Sequence, residues 1–259
     1  MIVAAAICPS PPLLAGPLTG QAEVLPELRA ACAAAVARLL APAPDVVAVA
    51  GPAEATGSWD PAGELSLASF APALRAGRYA PRDNSKKRDA GRPDAGRSDT
   101  GRPAAVPALP LALGIGALLL DEAGYQGPRT FQGVAEADPP AGCLALGRQV
   151  AASAPRVALL AVGDGTARRS ASAPGYLDER AAPFDEAVER AVRDGDLPAI
   201  AALDPALAAE LLAAGRPAWQ LLAGALPAGR PDAGRPQTEV LYVGAPLGVA
   251  YLVATLIPQ

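Results

Sequence analysis

The hydrophobic positions along the chain form short continuous runs, which alternate with longer stretches of mixed apolar and polar residues. The runs are rich in valine, leucine and isoleucine, and such unbroken apolar runs are typical of strands that are covered on both faces. We therefore predict strands at Ile2–Cys8, Asp45–Ala50, Leu109–Leu113, Arg156–Val162, Glu239–Val243 and Val249–Thr255.

Helical spacing fills most of the intervals between these strands. In the first interval an apolar residue recurs every three or four positions, which makes one apolar stripe along a helix. The predicted helices are Ala22–Leu40, Ile115–Gly124, Cys143–Ala152, Ala182–Asp194, Pro198–Ala202 and Pro205–Ala225. The alternation predicts an α/β fold: one domain over residues 1–259, with a mostly parallel or mixed central sheet and helices on both faces.

Two segments depart from this alternation. Residues 75–103 contain nine arginines and lysines and four aspartates, and their eight-residue sequence AGRPDAGR recurs letter for letter at 228–235. Segments of this kind have no large apolar side chain to bury, so we predict low-complexity loop insertions at 75–103 and 228–236. Within the segment 75–103, aspartates lie between the basic residues and no aromatic residue follows Tyr79. Both features argue against a nucleic-acid-binding arm.

The cysteines and the apolar runs indicate a cytoplasmic protein that does not enter a membrane. Cys8, Cys32 and Cys143 are widely spaced and odd in number, which is typical of small buried side chains in a reducing compartment. No apolar run reaches the roughly 18–20 residues that a bilayer requires. The apolar N-terminus has no basic residue ahead of it and is interrupted at Pro9, so it is read as a strand and not as a signal peptide.

The most informative feature of the composition is that the chain has no histidine. Histidine is the usual general base near neutral pH and the commonest ligand of zinc and non-haem iron. Serine–histidine–aspartate and cysteine–histidine catalysis and two-histidine facial triads are therefore excluded.

Three turns follow predicted strands at the edge where open α/β sheets bind their ligands. The first holds Ser10 between prolines, the second holds Glu54 in a glycine-bounded turn, and the third begins at Gly163. The third turn carries four candidate site residues: Asp164, Thr166, Arg168 and Arg169. If the first and third turns converge, Ser10 lies near these residues and the arginines bind a carboxylate or phosphate. The alternatives are solvated turns and an ion pair of the arginines with Asp164 or Asp178.

Taken in order, these segments resemble the class III extradiol ring-cleavage dioxygenase (LigB-like) superfamily. The resemblance rests on Ala4–Leu14 and is supported by Asp45–Pro52, Leu109–Leu113 with the helix after it, and Ala161–Arg169. A C-terminal block is similar as well, namely Pro183–Asp185, Gly195–Asp196, Ala214–Trp219 and Gly224–Ala225. The resemblance covers most of the chain outside the two predicted insertions.

The resemblance implies an Fe(II) site made of two histidines and a glutamate, with a further histidine as acid and base, in aromatic compound metabolism. In this sequence Ser10, Ala53 and either Ala167 or Arg168 stand at the histidine positions, and the glutamate position falls near Gly215. These residues do not supply the three donors that a facial triad needs. We therefore expect no Fe(II) cofactor and a catalytically degenerate protein.

A degenerate family member leaves three functions open. The first is binding of a small anionic or aromatic ligand through Ser10, Thr166, Arg168 and Arg169. The second is histidine-free, metal-assisted hydrolysis that uses Asp164 and Glu54. The third is a structural or regulatory partner in a larger assembly, because the resemblance also implies homo- or hetero-oligomers.

Overall fold

The computed structural model describes residues 1–19, 24–67, 70, 107–226 and 234–259. The predicted insertion at 75–103 lies outside these residues, and so do residues 228–233 of the second predicted insertion.

A seven-stranded sheet forms the centre of the described residues. Its strands are β1 (Ile2–Cys8), β2 (Val46–Ala53), β3 (Gly57–Trp59), β6 (Arg129–Ala135), β7 (Val157–Val162), β8 (Gln237–Gly244) and β9 (Tyr251–Ile257). A separate ladder pairs the two-residue strands β4 (Glu64–Leu65) and β5 (Ala108–Leu109).

The strand order is β3-β6-β2-β7-β1-β9-β8. The four strands from β6 to β1 run parallel, whereas β3, β9 and β8 are each antiparallel to a neighbour. Cys8 pairs with Val162 across β1 and β7, and Ala50 pairs with Ala161 across β2 and β7. The carboxyl ends of these three strands therefore lie side by side, and the turns after them meet at one edge.

Helices cover both faces of the sheet, which confirms the predicted fold class. They are α1 (Gly16–Thr19), α2 (Pro26–Leu40), α3 (Leu111–Glu122), α4 (Pro140–Ala152), α5 (Ala181–Arg193), α6 (Leu197–Ala201), α7 (Pro205–Glu210) and α8 (Arg216–Ala225). One buried cluster joins α2 and α3 to the sheet, and a second joins α4, α5 and α8 to its other face. Along β1, Ala5 and Ile7 enter the second cluster while Ala4 and Ala6 enter the first, as a pleated strand requires.

The predicted strand Leu109–Leu113 is wrong. Only Ala108–Leu109 is extended, and α3 begins at Leu111, directly after Pro110. The segment is apolar on all sides because nearly every side of α3 is buried, so its periodicity did not distinguish helix from strand. The predicted helix Pro205–Ala225 is also wrong, because the structure has two helices there, α7 and α8. Leu212 lies in the turn between them and adopts a left-handed φ of 56°.

Two glycines allow α4 and α8 to pack in direct backbone contact. A Cβ on Gly147 of α4 would lie 2.7 Å from the nitrogen of Ala225, and a Cβ on Gly224 of α8 would lie 2.5 Å from the Cα of Leu144. Real Cβ atoms do not approach that closely, so any larger residue separates the helices. This contact sets the position of α8, whose first turn borders the candidate site.

All three cysteines are free and buried, in agreement with the prediction that they are core residues. In the part of the chain that the structure describes, no helix is both long and apolar enough to cross a membrane.

Candidate functional site

The turn after β1 is held against the turn after β7. Pro9, Pro11 and Pro12 stiffen the first turn, and Ser10 within it is only 6% exposed. The backbone N–H of Ser10 donates a hydrogen bond of 2.6 Å to Oδ1 of Asp164, and the Ser10 hydroxyl lies 3.5 Å from the same oxygen. The structure therefore brings Ser10 and Asp164 together, and this is the convergence of the first and third turns that their shared edge of the sheet predicted.

Gly163 is the point at which four segments of the chain meet. Its N–H donates to the carbonyl of Cys8 at 2.9 Å. A Cβ at Gly163 would lie 2.6 Å from the Cα of Gly215 and 3.5 Å from the Cδ of Pro52. The N–H of Gly215 in turn donates to the carbonyl of Asp164 at 2.7 Å. Glycine at 163 therefore allows the ends of β1, β2 and β7 to pack against the start of α8.

Asp164 carries the titratable carboxyl group at this meeting point. Although the residue keeps some solvent exposure, burial of the carboxyl raises its pKa from 3.8 to about 6, and the two hydrogen bonds from Ser10 offset part of this effect. No salt bridge of Asp164 occurs among the described residues. A carboxyl group that titrates near neutral pH can exchange a proton with a bound molecule.

Tyr251, the first residue of β9, belongs to the surroundings of Asp164 and was not among the predicted site residues. It is 4% exposed, and its pKa is raised first by burial and then by the negative charge of Asp164. The sequence offered one signal, a tyrosine within an apolar strand, and this signal did not indicate a site.

Two polar side chains of the third turn, Thr166 and Arg169, are directed to Asp185 on α5. Thr166 is fully buried, and its N–H and hydroxyl donate to Asp185 at 3.0 and 2.6 Å. Arg169 forms an ion pair of 3.0 Å with the same carboxylate. The predicted alternatives, a pair with Asp164 or with Asp178, are therefore wrong for Arg169. Asp185 was missed as a functional residue, although it lies in one of the segments that carry the resemblance.

Arg168 forms a hydrogen bond within the same loop. Its Nη1 donates to the carbonyl of Gly175 at 2.6 Å, and its Nε is buried without a hydrogen-bond partner in the described part of the chain.

Ala53 ends β2, and its methyl group lies 2.7 Å from where a Cβ of Gly133 would be. Glu54 is exposed in the turn that follows. Arg168, Arg169 and Glu54 make no described hydrogen bond or salt bridge with Asp164.

The donor set at this edge does not fit an Fe(II) facial triad. A Cβ at Gly215, near which the resemblance places the glutamate, would lie 2.6 Å from Cε2 of Trp219 and 2.9 Å from the carbonyl oxygen of Asp164. The tryptophan ring therefore fills the space that a glutamate side chain would need. Ser10 and Asp164 offer one hydroxyl and one carboxyl, and the described residues contain no group of three histidine, cysteine, aspartate or glutamate side chains able to hold a metal ion.

The fold and this edge define an α/β protein with a seven-stranded mixed sheet and a carboxyl-edge cluster built around Asp164. The chain matches no protein-family model and no curated protein sequence. Among solved structures it is similar to the uncharacterized protein JW3007 from Escherichia coli K12, with 17% sequence identity and a TM-score of 0.50. The match covers 98% of this chain and 99% of that chain. At this identity the likeness shows the fold alone.

Proposed function

We propose that the chain is a LigB-like protein that lacks Fe(II) chemistry and binds a small molecule at the carboxyl edge of its sheet. The observation that supports this proposal is the convergence around Asp164. The segments that carry the resemblance contribute Ser10, Pro52, Gly163 and Gly215 to one contact network. The same network lacks the donors that iron needs, so ligand binding is the function that its chemistry favours.

The charges at this edge favour a ligand that carries a hydroxyl group over an anion, and the resemblance adds the expectation that this ligand is aromatic. Arg169 is paired with Asp185, and Arg168 donates to a carbonyl of its own loop, so an anionic ligand must compete for both. Asp164 has no such cationic partner among the described residues, and its two hydrogen bonds go to Oδ1. A hydroxyl group on the ligand therefore has a carboxylate oxygen available as its acceptor.

A thermal-shift screen of the full chain with catechols and with inorganic phosphate tests this proposal. We expect a catechol to raise the melting temperature and phosphate to have no effect. The variant Asp164→Ala is expected to lose the shift, because it removes the carboxyl group around which the described cluster is built. Glu54→Ala is the matched control, since Glu54 is an exposed carboxylate at the same edge. Equal shifts in wild type and Asp164→Ala, or no shift with any catechol, would contradict the proposal.

A histidine-free hydrolase is the second candidate, and the raised pKa of Asp164 is the observation that favours it. A carboxylate with a pKa of about 6 is basic enough to activate water. If the reaction is metal-assisted through both carboxylates, hydrolysis of a nitrophenyl ester or phosphate should require a divalent cation and should fall in both Asp164→Asn and Glu54→Gln. Activity that persists in both variants would exclude this mechanism.

The roles of structural or regulatory partner and of homo-oligomer stay predictions, which size-exclusion chromatography with light scattering would test.

A further inference from the structure

A separate cavity, of about 150 Å³, lies between α7 and the start of α8. Its wall includes Ala208 and Ala209 of α7, Leu212 of the turn, and Arg216 of α8. The residues that form the cluster around Asp164 do not line this cavity. The volume is below the roughly 300–1,000 Å³ of pockets for drug-sized ligands, so an occupant has few heavy atoms.

Arg216 brings a buried positive charge to this cavity. The residue is 2% exposed, and it makes no salt bridge with any described residue. Its Nη1 donates to the carbonyl of Asp138 and to Oε1 of Gln220, each at 2.8 Å, and its Nη2 donates to the carbonyl of Glu136. All three acceptors are neutral, so the guanidinium group lacks the anionic partner that a buried charge ordinarily has.

Two donors of this guanidinium group have no oxygen acceptor in the described part of the chain. A guanidinium group has five N–H donors, and three of them reach the oxygens named above, so one donor on Nε and one on Nη2 remain. This Nε is not fully enclosed, in contrast to the unpaired Nε of Arg168. Glu136, whose carbonyl accepts from Nη2, also lines the cavity, which places Nη2 at the cavity wall. Two free donors on neighbouring nitrogens are what a carboxylate needs for bidentate binding.

The rest of the wall favours a small anion with an apolar body. The cavity lies at the first turn of α8, where the helix dipole attracts negative charge. Besides Arg216, the charged residue on the wall is Glu136, which is exposed, so water screens its carboxylate. The other wall residues are alanine, leucine and proline, which offer apolar surface and no further charge.

We propose that this cavity binds a short aliphatic monocarboxylate. Its carboxylate accepts hydrogen bonds from Nε and Nη2 of Arg216, and its apolar end packs on Ala208, Ala209 and Leu212. Because Asp164 and its neighbours do not line this cavity, the proposal stands or falls separately from ligand binding at the carboxyl edge.

Isobutyrate is a suitable probe, because it combines one carboxylate with a short branched apolar group. Its binding to the full chain is followed by saturation-transfer NMR on the methyl protons at pH 7.5, where the carboxylate is ionised, and sodium chloride keeps the ionic strength constant. Isobutyramide has nearly the same shape without the charge. Ala209→Phe fills the cavity from its exposed rim on α7. Ala206→Phe, which places the same side chain on the same helix outside the cavity, is the matched control.

We expect isobutyrate to bind saturably, with a Kd of about 10 mM or lower, and at least about tenfold more tightly than isobutyramide. Ala209→Phe should weaken isobutyrate binding at least about tenfold, whereas Ala206→Phe should leave it unchanged. Arg216→Met, checked for folding by circular dichroism, should lose the preference for isobutyrate over isobutyramide. The two phenylalanine variants test the site even where loss of the buried arginine unfolds the protein. Equal binding of the two probes to wild type, unaffected binding in Ala209→Phe, or no saturable signal up to about 50 mM would overturn the proposal.

Discussion

Replacing Asp164 with asparagine is expected to stabilise the protein at neutral pH and not at acidic pH. Burial raises the pKa of the folded carboxyl to about 6, whereas the ordinary value in an unfolded chain is 3.8. Between these two values the folded state binds a proton that the unfolded state has released. The contribution of Asp164 to the free energy of unfolding therefore falls as the pH rises from about 4 to 6, and stays lowered above that range.

The difference between about 6 and 3.8 is about two pH units, each worth about 1.4 kcal/mol, so the upper limit of the effect is about 3 kcal/mol. Asp164 retains some solvent exposure, which screens its charge, and we therefore expect about 1–3 kcal/mol. Asparagine keeps an oxygen that accepts the Ser10 N–H but does not ionise. The variant therefore escapes the ionisation penalty while it keeps the contact between the two turns.

Urea unfolding of wild type and Asp164→Asn at pH 4 and pH 7.5 measures this effect. The stability of the variant relative to wild type should rise by about 1–3 kcal/mol between the two pH values. Groups that titrate equally in wild type and variant cancel when the difference in their free energies of unfolding is compared between the two pH values. Asp60→Asn is the matched control, because Asp60 also accepts a backbone N–H, from Ala62 at 2.8 Å, but is exposed. A relative stability of Asp164→Asn that is constant, or that falls as the pH rises, would refute the reasoning.

Two further predictions concern stability and are measured by urea unfolding at pH 7. Gly147→Ala should cost about 3 kcal/mol or more, because its Cβ would overlap α8, whereas Gly142→Ala in the same helix, whose nearest contact would be 3.7 Å away, should be neutral or stabilising by up to about 1 kcal/mol. Equal effects of the two alanines would contradict the packing of α4 on α8. Asp185→Ala should cost about 2–4 kcal/mol, because it removes three hydrogen bonds and leaves the buried Thr166 hydroxyl without its acceptor. A loss below about 0.5 kcal/mol would show that Asp185 does not anchor the third turn.

The sequence predicted the sheet where the apolar runs were short and bounded, as in β1, whose predicted and observed limits are both Ile2–Cys8. It failed at Arg129–Ala135, which forms β6 but was not predicted, because Arg129, Thr130 and Gln132 interrupt its apolar run. It failed again in α3, because a helix that is buried on all sides has no polar face to reveal its period.

The candidate site was predictable to the extent that it depends on neighbouring strands. Turns that follow parallel strands share one edge, and the contact between Ser10 and Asp164 follows from this. The partner of Arg169 did not follow, because the choice of Asp185 depends on where α5 packs against the sheet. The position of Trp219 beside Gly215 likewise depends on the close packing of α8 and not on any local pattern.

The central proposal, that the chain is a LigB-like protein without Fe(II) chemistry, is tested most directly by reconstitution with iron. The full chain is incubated anaerobically with Fe(II) and desalted, its metal content is measured, and oxygen uptake is followed with a protocatechuate-type catechol. Because histidine is absent and the edge cluster offers one carboxyl and one hydroxyl, we predict iron far below one per chain and no iron-dependent oxygen uptake. Iron bound at one per chain, together with sustained oxygen uptake that depends on it, would contradict the account.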